Sequence, residues 1–461
     1  MTGPRVSTAG LDAGERRIAT RYLLSSPILT AARQPTELDL VRRHAAALKS
    51  MFASQLGYTL IVESSFARLV KAPLPASAPT RPARRATDDS PFTAATYVHL
   101  ALVCAALLAP GVGEQILISA LVDQIRADAA EQSITVTDGI SDRRQLVTAL
   151  KLLVTWGVVA ETDGSLAAWG ERREDEALLS INRALLIHLL PSPLHQFGTA
   201  EDTWSQLRPE PPRRRLRQRL VENPAIFRAE LPEDELDVLS RERNELARQL
   251  DENFGLVLEV RAEGALAYDP SGALTDLDFP GSGSAKQAAL LLLDELTTAR
   301  QPSAEAAVLV DGIRLPGALA PWPQVDAVLG GLAARYRNVW KGAYGESLDT
   351  LRADVVEVLE ALRLGRPVQD GLAIFPFAAR YQPQVRTHSP TPNGRPGAEP
   401  DGQPGAAAPP GGPPPGAPPP GAAPQEDQPA VRNGWFDTRK GRPARSGEPW
   451  AQTVRHQETY R

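Results

Sequence analysis

Residues 141–169 read SDRRQLVTALKLLVTWGVVAETDGSLAAW. Asp142 followed by Gln145 has the spacing of a capping box, in which two side chains satisfy the free N–H groups of a helix start. Leu146, Ala149, Leu150 and Leu153 recur at helical spacing and make one apolar stripe. Gly157 supplies the left-handed residue that ends a helix at little cost. Strand 158–162, the turn dipeptide Asp163-Gly164 and strand 165–169 follow, which is the grammar of a β-hairpin. Helix, stop and hairpin together form the second half of a winged-helix domain.

Outward from this stretch the same grammar recurs. Toward the N-terminus, residues 92–108 and 114–130 read as two further helices, completing a three-helix set. Before them lie a short helix at 15–24, a longer one at 38–56 stopped by Gly57, and two short strands at 59–64 and 66–73. Residues 75–90 read as a Pro/Arg/Ser-rich loop and 181–190 as a further helix. From about 224 the order starts again. A helix at 233–250 is followed by strand, turn at Glu263-Gly264 and strand, then by helices at 285–299, 324–340 and 348–362. A second wing at 366–377 turns at Asp370-Gly371. The fold class is therefore mainly α with small β-hairpins (α+β), built as tandem winged-helix domains with an internal duplication. The expected boundaries are 15–200 for the first half, 201–223 for a basic connection and 224–381 for the second half. Residues 382–432, rich in Pro, Gly and Ala, read as a disordered, partly polyproline-II tether. Residues 433–461 regain Trp435, Phe436, Trp450 and Tyr460 among basic residues, the composition of a short docking segment or of a solubilising tail.

Composition narrows the function. The 461 residues carry a net charge of −5, which argues against a surface coated with nucleic-acid-binding charge but not against a local basic patch. The single cysteine, Cys104, lies in an apolar run and reads as a small core residue; no CxxC or Cys/His metal spacing exists. The first residues contain no apolar signal-peptide segment, and no run approaches the ~20 apolar residues of a membrane span. A soluble cytoplasmic protein is expected.

Catalytic motifs fail on detail. GSGSAK at 281–286 lacks the spacing, the hydroxyl residue and the preceding parallel strand of a phosphate-binding loop, and reads as a flexible connection. There is no GxSxG and no HExxH, and His44, His99, His188, His195, His388 and His456 show no ligand spacing. No enzyme, cofactor or metal is expected. Two basic groups remain. On the helix that opened this section, Arg144, Thr148, Lys151 and Thr155 face away from the apolar stripe with Arg143 beside them, a face suited to phosphate contacts or simply to solvent. Arg213, Arg214, Arg215, Arg217 and Arg219 form the densest basic run and suit DNA backbone, an acidic partner or a solvated linker helix. The matching helix of the second half instead exposes Asp354, Glu357 and Glu360, a face that repels a duplex and suits protein contact. Trp435 and Phe436 are the other candidate protein contacts.

Several segments together resemble one bacterial family: GERRIATRYLLSSPILTA, LVRRHAAALKSMFASQLGYTLIVESSFARLVKAP, SPFTAATYVHLALVCAAL, LKLLVTWGVV, LEVRAEGALAYDP and LAIFPFAARY. In order and spacing over 15–381 they are similar to the MukE-like, or kite, subunit of Wadjet-type SMC plasmid-defence systems. The resemblance implies a non-enzymatic tandem winged-helix subunit, homodimeric within its complex, that binds a kleisin-like subunit near the SMC ATPase heads. It implies a complex that extrudes DNA loops, with a separate Toprim-type nuclease cutting small circular DNA. From the basic helix face, weak, salt-sensitive and sequence-independent binding of double-stranded DNA is expected of the isolated chain, lost when Arg143, Arg144 and Lys151 become Glu. The rival reading is a winged-helix transcription regulator, which wants strongly basic reading helices in a symmetric dimer.

Overall fold

The computed structural model describes residues 8–72, 82–85, 90–137, 139–172, 175–189, 210–340, 342, 344 and 347–381. Four times along these residues a helix, a short strand, two helices and a two-stranded wing follow one another. The first unit is α1 (Thr8–Ser25), β1 (Ile28–Thr30), α2 (Pro35–Arg43), α3 (Ala45–Leu56), β2 (Thr59–Val62) and β3 (Phe66–Val70). The second is α4 (Ala94–Leu108), β4 (Gln115–Leu117), α5 (Ile118–Glu131), α6 (Ile140–Thr155), β5 (Val159–Gly164), α7 (Leu166–Glu171), β6 (Ala177–Ile181) and α8 (Arg183–Leu186). The third is α9 (Pro212–Glu222), β7 (Ile226–Phe227), α10 (Glu233–Arg241), α11 (Arg243–Phe254), β8 (Val257–Val260) and β9 (Gly264–Tyr268). The fourth is α12 (Ser284–Arg300), the hairpin β10 (Ala307–Val310) and β11 (Ile313–Pro316), β12 (Ala318–Pro321), α13 (Trp322–Arg335), α14 (Leu348–Ala361), β13 (Gly365–Val368) and β14 (Gly371–Ile374).

In each unit the last wing strand lies in the middle of a three-stranded antiparallel sheet: β1-β3-β2, β4-β6-β5, β7-β9-β8 and β12-β14-β13. The winged-helix class is thus present, and among the described residues helix outweighs strand, 54% against 18%. Among the described residues no helix is long and apolar enough to cross a membrane.

The repeat holds at single-residue level. Gly57 ends α3 at φ 67° and Gly255 ends α11 at φ 70°, 198 positions apart. At the same shift, strand partners Thr59 and Val70 match Val257 and Tyr268. The breaks at His44 (φ −107°) and Glu242 (φ −112°) match as well. These breaks correct the single helices expected at 38–56 and 233–250. Each splits in two at its break, although in the first the buried residues Leu38, Val41, Leu48, Phe52 and Leu56 keep one 3-4 spacing across it.

Other expectations also change. Residues 158–169 do not form a hairpin. Gly164 lies opposite Ala177, with the carbonyl of Glu176 2.1 Å from where a Cβ would stand, so the chain passes straight through the Asp163-Gly164 step. The Ser165 hydroxyl then accepts from the N–H groups of Ala167 and Ala168 and starts α7, because Leu166 and Trp169, three apart, both bury. The capping box at Asp142 does not form. Helix α6 begins at Ile140, Asp142 accepts from the backbone and hydroxyl of Thr137, and Gln145 accepts from Thr96. The helix expected at 181–190 is instead the end of β6 and the short α8, and α13 ends at Arg335 rather than 340.

Cores join the units pairwise. The first and third share one core, with Phe52, Leu56 and Leu23 packed among Leu220, Leu250 and Phe254. The second unit has its own core, into which Phe66 of the first projects. Reciprocally, Ala225, Phe227 and Leu266 of the third enter the core of the fourth.

Candidate nucleic-acid interface

The third helix of a winged-helix unit is the one that ordinarily enters a DNA groove. In the first and third units it is already engaged. Helix α9 packs on α3, and α1 packs on α11. The ends of α3 and α11 are held alike: Gln218 donates to the Leu56 carbonyl at 2.6 Å, and Arg21 donates to the Phe254 carbonyl at 3.2 Å. Arg217 caps α3 further, donating to the carbonyls of Gln55 (2.8 Å) and Ser54 (3.4 Å) and to Gln249 (2.9 Å). A guanidinium at the negative end of a helix is favourably placed. Burial nevertheless lowers its affinity for the proton relative to a solvated arginine.

Within the Arg213–Arg219 run, Arg217 is buried and Arg214, Arg215 and Arg219 are half-buried, while Arg213 stays exposed. Arg213 pairs with Glu242 at 2.6 Å and Arg214 with Glu210. Arg215 pairs with Asp234 (2.5 Å) and Glu235 (2.7 Å), and Arg219 with the same fully buried Glu235 (2.9 Å). A buried carboxylate is tolerable only with such partners, so these arginines are committed to holding the third unit together and fastening it to the first.

The acidic face of α14 is also less open than its sequence suggests. Asp354 accepts from the Tyr344 hydroxyl at 2.5 Å, Glu357 pairs with Arg84 at 2.5 Å, and Glu360 with Arg366 at 3.4 Å. Trp435 and Phe436 lie outside the described residues.

Helix α6 differs. Its buried side is Leu146, Val147, Ala149, Leu150 and Leu153, as the apolar spacing requires. Arg144 is exposed; Arg143 and Lys151 are half-buried. None of the three has an ion-pair partner among the described residues. The Thr148 and Thr155 hydroxyls donate back to the carbonyls of Arg144 (2.7 Å) and Lys151 (2.9 Å), leaving the cations outermost. Arg33, exposed on the first unit, donates to the Thr155 carbonyl at 2.7 Å and extends the stripe. No sequence signal could join Arg33 to a helix 122 positions away.

Helices α6 and α14 occupy equivalent places. Val158 N–H closes on Leu153 O, and Leu364 N–H on Leu359 O, both at 2.9 Å. The left-handed residues Gly157 and Arg363 fall at the same shift of 206 positions. Under that shift Arg143 matches Asp349, Thr148 matches Asp354 and Lys151 matches Glu357. The charge is inverted at Arg143/Asp349 and Lys151/Glu357, while Arg144 matches the neutral Thr350 and the neutral Thr148 matches an acid. The wing beside α6 is acidic, with Glu161 and Asp163 exposed, so only the helix face suits a phosphate backbone.

A cleft at the start of α6 is lined by His99, Val122, Arg126, Thr137, Arg143 and Trp169. His99 is 5% exposed, with Nδ1 2.8 Å from the Ala95 carbonyl and Nε2 without a partner. The Thr137 hydroxyl is held by Asp142, so no nucleophile–base pair is assembled there. Half-buried Cys104, its thiol pushed up to about 11 by burial, is a core thiol rather than a reactive one. Among the described residues no group of His, Cys, Asp and Glu is arranged to hold a metal ion.

No curated protein matches the chain. Over residues 20–384, which take in all four winged-helix units except the first turns of α1, the chain belongs to the family described as protein of unknown function, DUF2398.

Proposed function

We propose that this chain is the kite-type subunit of an SMC complex directed against plasmids. In this reading it is a non-enzymatic bracket that binds a kleisin-like subunit beside the SMC ATPase heads, within a system that also contains a Toprim-type nuclease. The observation that carries the reading is the internal pairing of two tandem winged-helix halves through their first units. A bracket of this kind needs two winged-helix arms held at a fixed spacing, and one chain supplies both. The homodimer within the complex that the family resemblance implies would join two chains, each already carrying such a pair of arms.

Contact with double-stranded DNA falls to the α6 face, through Arg143, Arg144 and Lys151, without base reading. The regulator reading draws little support. Two of its four candidate reading helices, α3 and α11, are covered by α9 and α1. A third, α14, carries the opposite charge.

The test is affinity purification of the full chain from its own host at native expression. Stoichiometric recovery of a kleisin-like protein and an SMC ATPase is the expected result. Recovery of the chain alone, bound to one promoter sequence, would overturn it.

A further inference from the structure

The first and third units repeat each other inside and differ on one outer face. Strand partners Leu29 and Ala67 match Ile226 and Ala265, so β7 repeats β1 at a shift of 197 positions and β9 repeats β3 at 198. At 197 the inward sides of α1 and α9 agree. Ala19, Arg21 and Leu23 match Leu216, Gln218 and Leu220, and Arg21 and Gln218 make the corresponding helix-end bonds. The outward sides do not agree. On α9 they carry Arg215 and Arg219, whose guanidiniums close on the fully buried Glu235 of α10 at 2.7 and 2.9 Å. On α1 the same two positions are Ile18 and Tyr22, 48% and 37% exposed. Helix α2 repeats α10 at 198 positions, which puts Glu37 where Glu235 stands. Glu37 is half-buried and has no ion-pair partner among the described residues.

The first unit thus keeps the carboxylate and lacks the cations that close it in its twin. In their place stands an apolar row, which Leu11, 58% exposed and seven positions before Ile18, extends along the same face of α1. The neighbouring acids are already taken: Glu15 by Arg43 (2.9 Å) and His44 (2.8 Å), and Asp39 by Arg42 (3.4 Å). A carboxylate drawn out of water is stabilised by a guanidinium that hydrogen-bonds to it, and exposed apolar side chains are stabilised by being covered. We propose that this outer face of α1 is a docking surface for a helical segment of another protein. That segment lays apolar side chains on Leu11, Ile18 and Tyr22 and brings an arginine to Glu37. The third unit shows what completes such a site, because there α9 supplies the guanidiniums from within and leaves no carboxylate for a partner. The chemistry defines the partner whether or not it is a kleisin, so the docking surface does not rest on the SMC reading.

The test uses the full chain and a displayed library of helical peptides, panned on the parent after depletion on a chain carrying Ile18→Arg and Tyr22→Arg. That double change copies α9 and should close Glu37 from within, raising the thermal midpoint. In a Glu37→Gln background the gain should disappear. No gain, or a gain that Glu37→Gln leaves in place, removes the equivalence of Glu37 and Glu235 and with it the proposal. The recovered peptides should carry an arginine or lysine one turn from an apolar pair and bind Glu37→Gln about tenfold more weakly than the parent. Ile18→Ser with Tyr22→Ser, which removes the apolar row without adding charge, should weaken them at least as much. Peptides without a cation, or indifferent to Glu37→Gln, overturn the proposal. So does failure to recover any peptide that distinguishes the parent from the double arginine change. Self-association of the parent that the double arginine change abolishes would give the face to a second copy and overturn docking of another protein.

Discussion

Gln218 donates its side-chain amide to the carbonyl of Leu56, a bond buried between the first helix of the third unit and the last helix of the first. Arg21 makes the corresponding bond to Phe254 in the opposite direction. Reciprocal bonds of this kind are what a two-fold dimer interface contains, here written into one chain. Gln218→Leu leaves the Leu56 carbonyl buried without that donor, which costs about 1–3 kcal/mol. We expect a lower denaturant midpoint at unchanged slope. Because the first and third units share one core, the loss should appear in a single transition. Separate melting of the two units would contradict a shared core.

On the other side of the pseudo-two-fold, Arg21 also grips Asp269 through two bonds, at 2.6 and 3.1 Å. Burial pushes the Asp269 carboxyl up, but Arg21 and the N–H groups of Leu274 and Ser271 outweigh it and hold the group down to about 2. A carboxyl depressed below its unfolded value stabilises the fold above pH ~4, and that contribution is lost as pH falls toward 2. Solvent screening at this partly open site leaves on the order of 1–2 kcal/mol. Stability measured from pH 4 to 2 should fall less steeply in Asp269→Asn than in the parent. Equal slopes would remove the ion pair from the joint between the first and third units.

The chain should exist alone in solution. Its mass by light scattering is expected at 49.6 kDa across a hundredfold range of concentration. A dimer formed by exchanging first units between copies would double that mass. A bismaleimide bridge between Arg17→Cys and Asp251→Cys, in a Cys104→Ala background, separates the cases, since the parent side chains approach to 3.7 Å. Bridging within one chain leaves the mass single on a denaturing gel; an exchanged dimer gives a double one.

What the sequence made legible followed its periodicities. The apolar stripe of α6, the stop at Gly157 and the duplication all stand in the structure. The first strand of each unit did not show, because two to four residues such as Ile226–Phe227 cannot display an alternation. The hairpin at Ala307–Pro316 was legible through Asp311-Gly312, both at positive φ between apolar strands, yet falls in a stretch that the sequence reading leaves without an element. The inward contacts of Arg215, Arg217 and Arg219 did not show, because nothing local reveals that Glu235 and the carbonyl end of α3 stand opposite. The basic face of α6 was legible because helical spacing fixes which side chains point away from Leu146, Leu150 and Leu153.

That face carries the last prediction. Three cations on phosphates release condensed counterions, so the slope of log affinity against log salt should be about −3, or −0.9 per contact. Replacing Arg143, Arg144 and Lys151 by Ala should weaken binding of the isolated chain to random duplex DNA and bring the slope close to zero. Glu in their place should abolish binding. Glu161→Lys and Asp163→Lys on the adjacent wing should do the reverse, since these acids now repel a backbone lying along α6. Arg213→Ala and Arg215→Ala are the internal control. Both guanidiniums are paired within the fold, so these changes should lower thermal stability and leave DNA affinity within twofold. Affinity that falls with Arg213 and Arg215 but not with the α6 triple change would move the contact to the joint between the first and third units. The inverted charge on α14 would then have no bearing on which arm meets DNA.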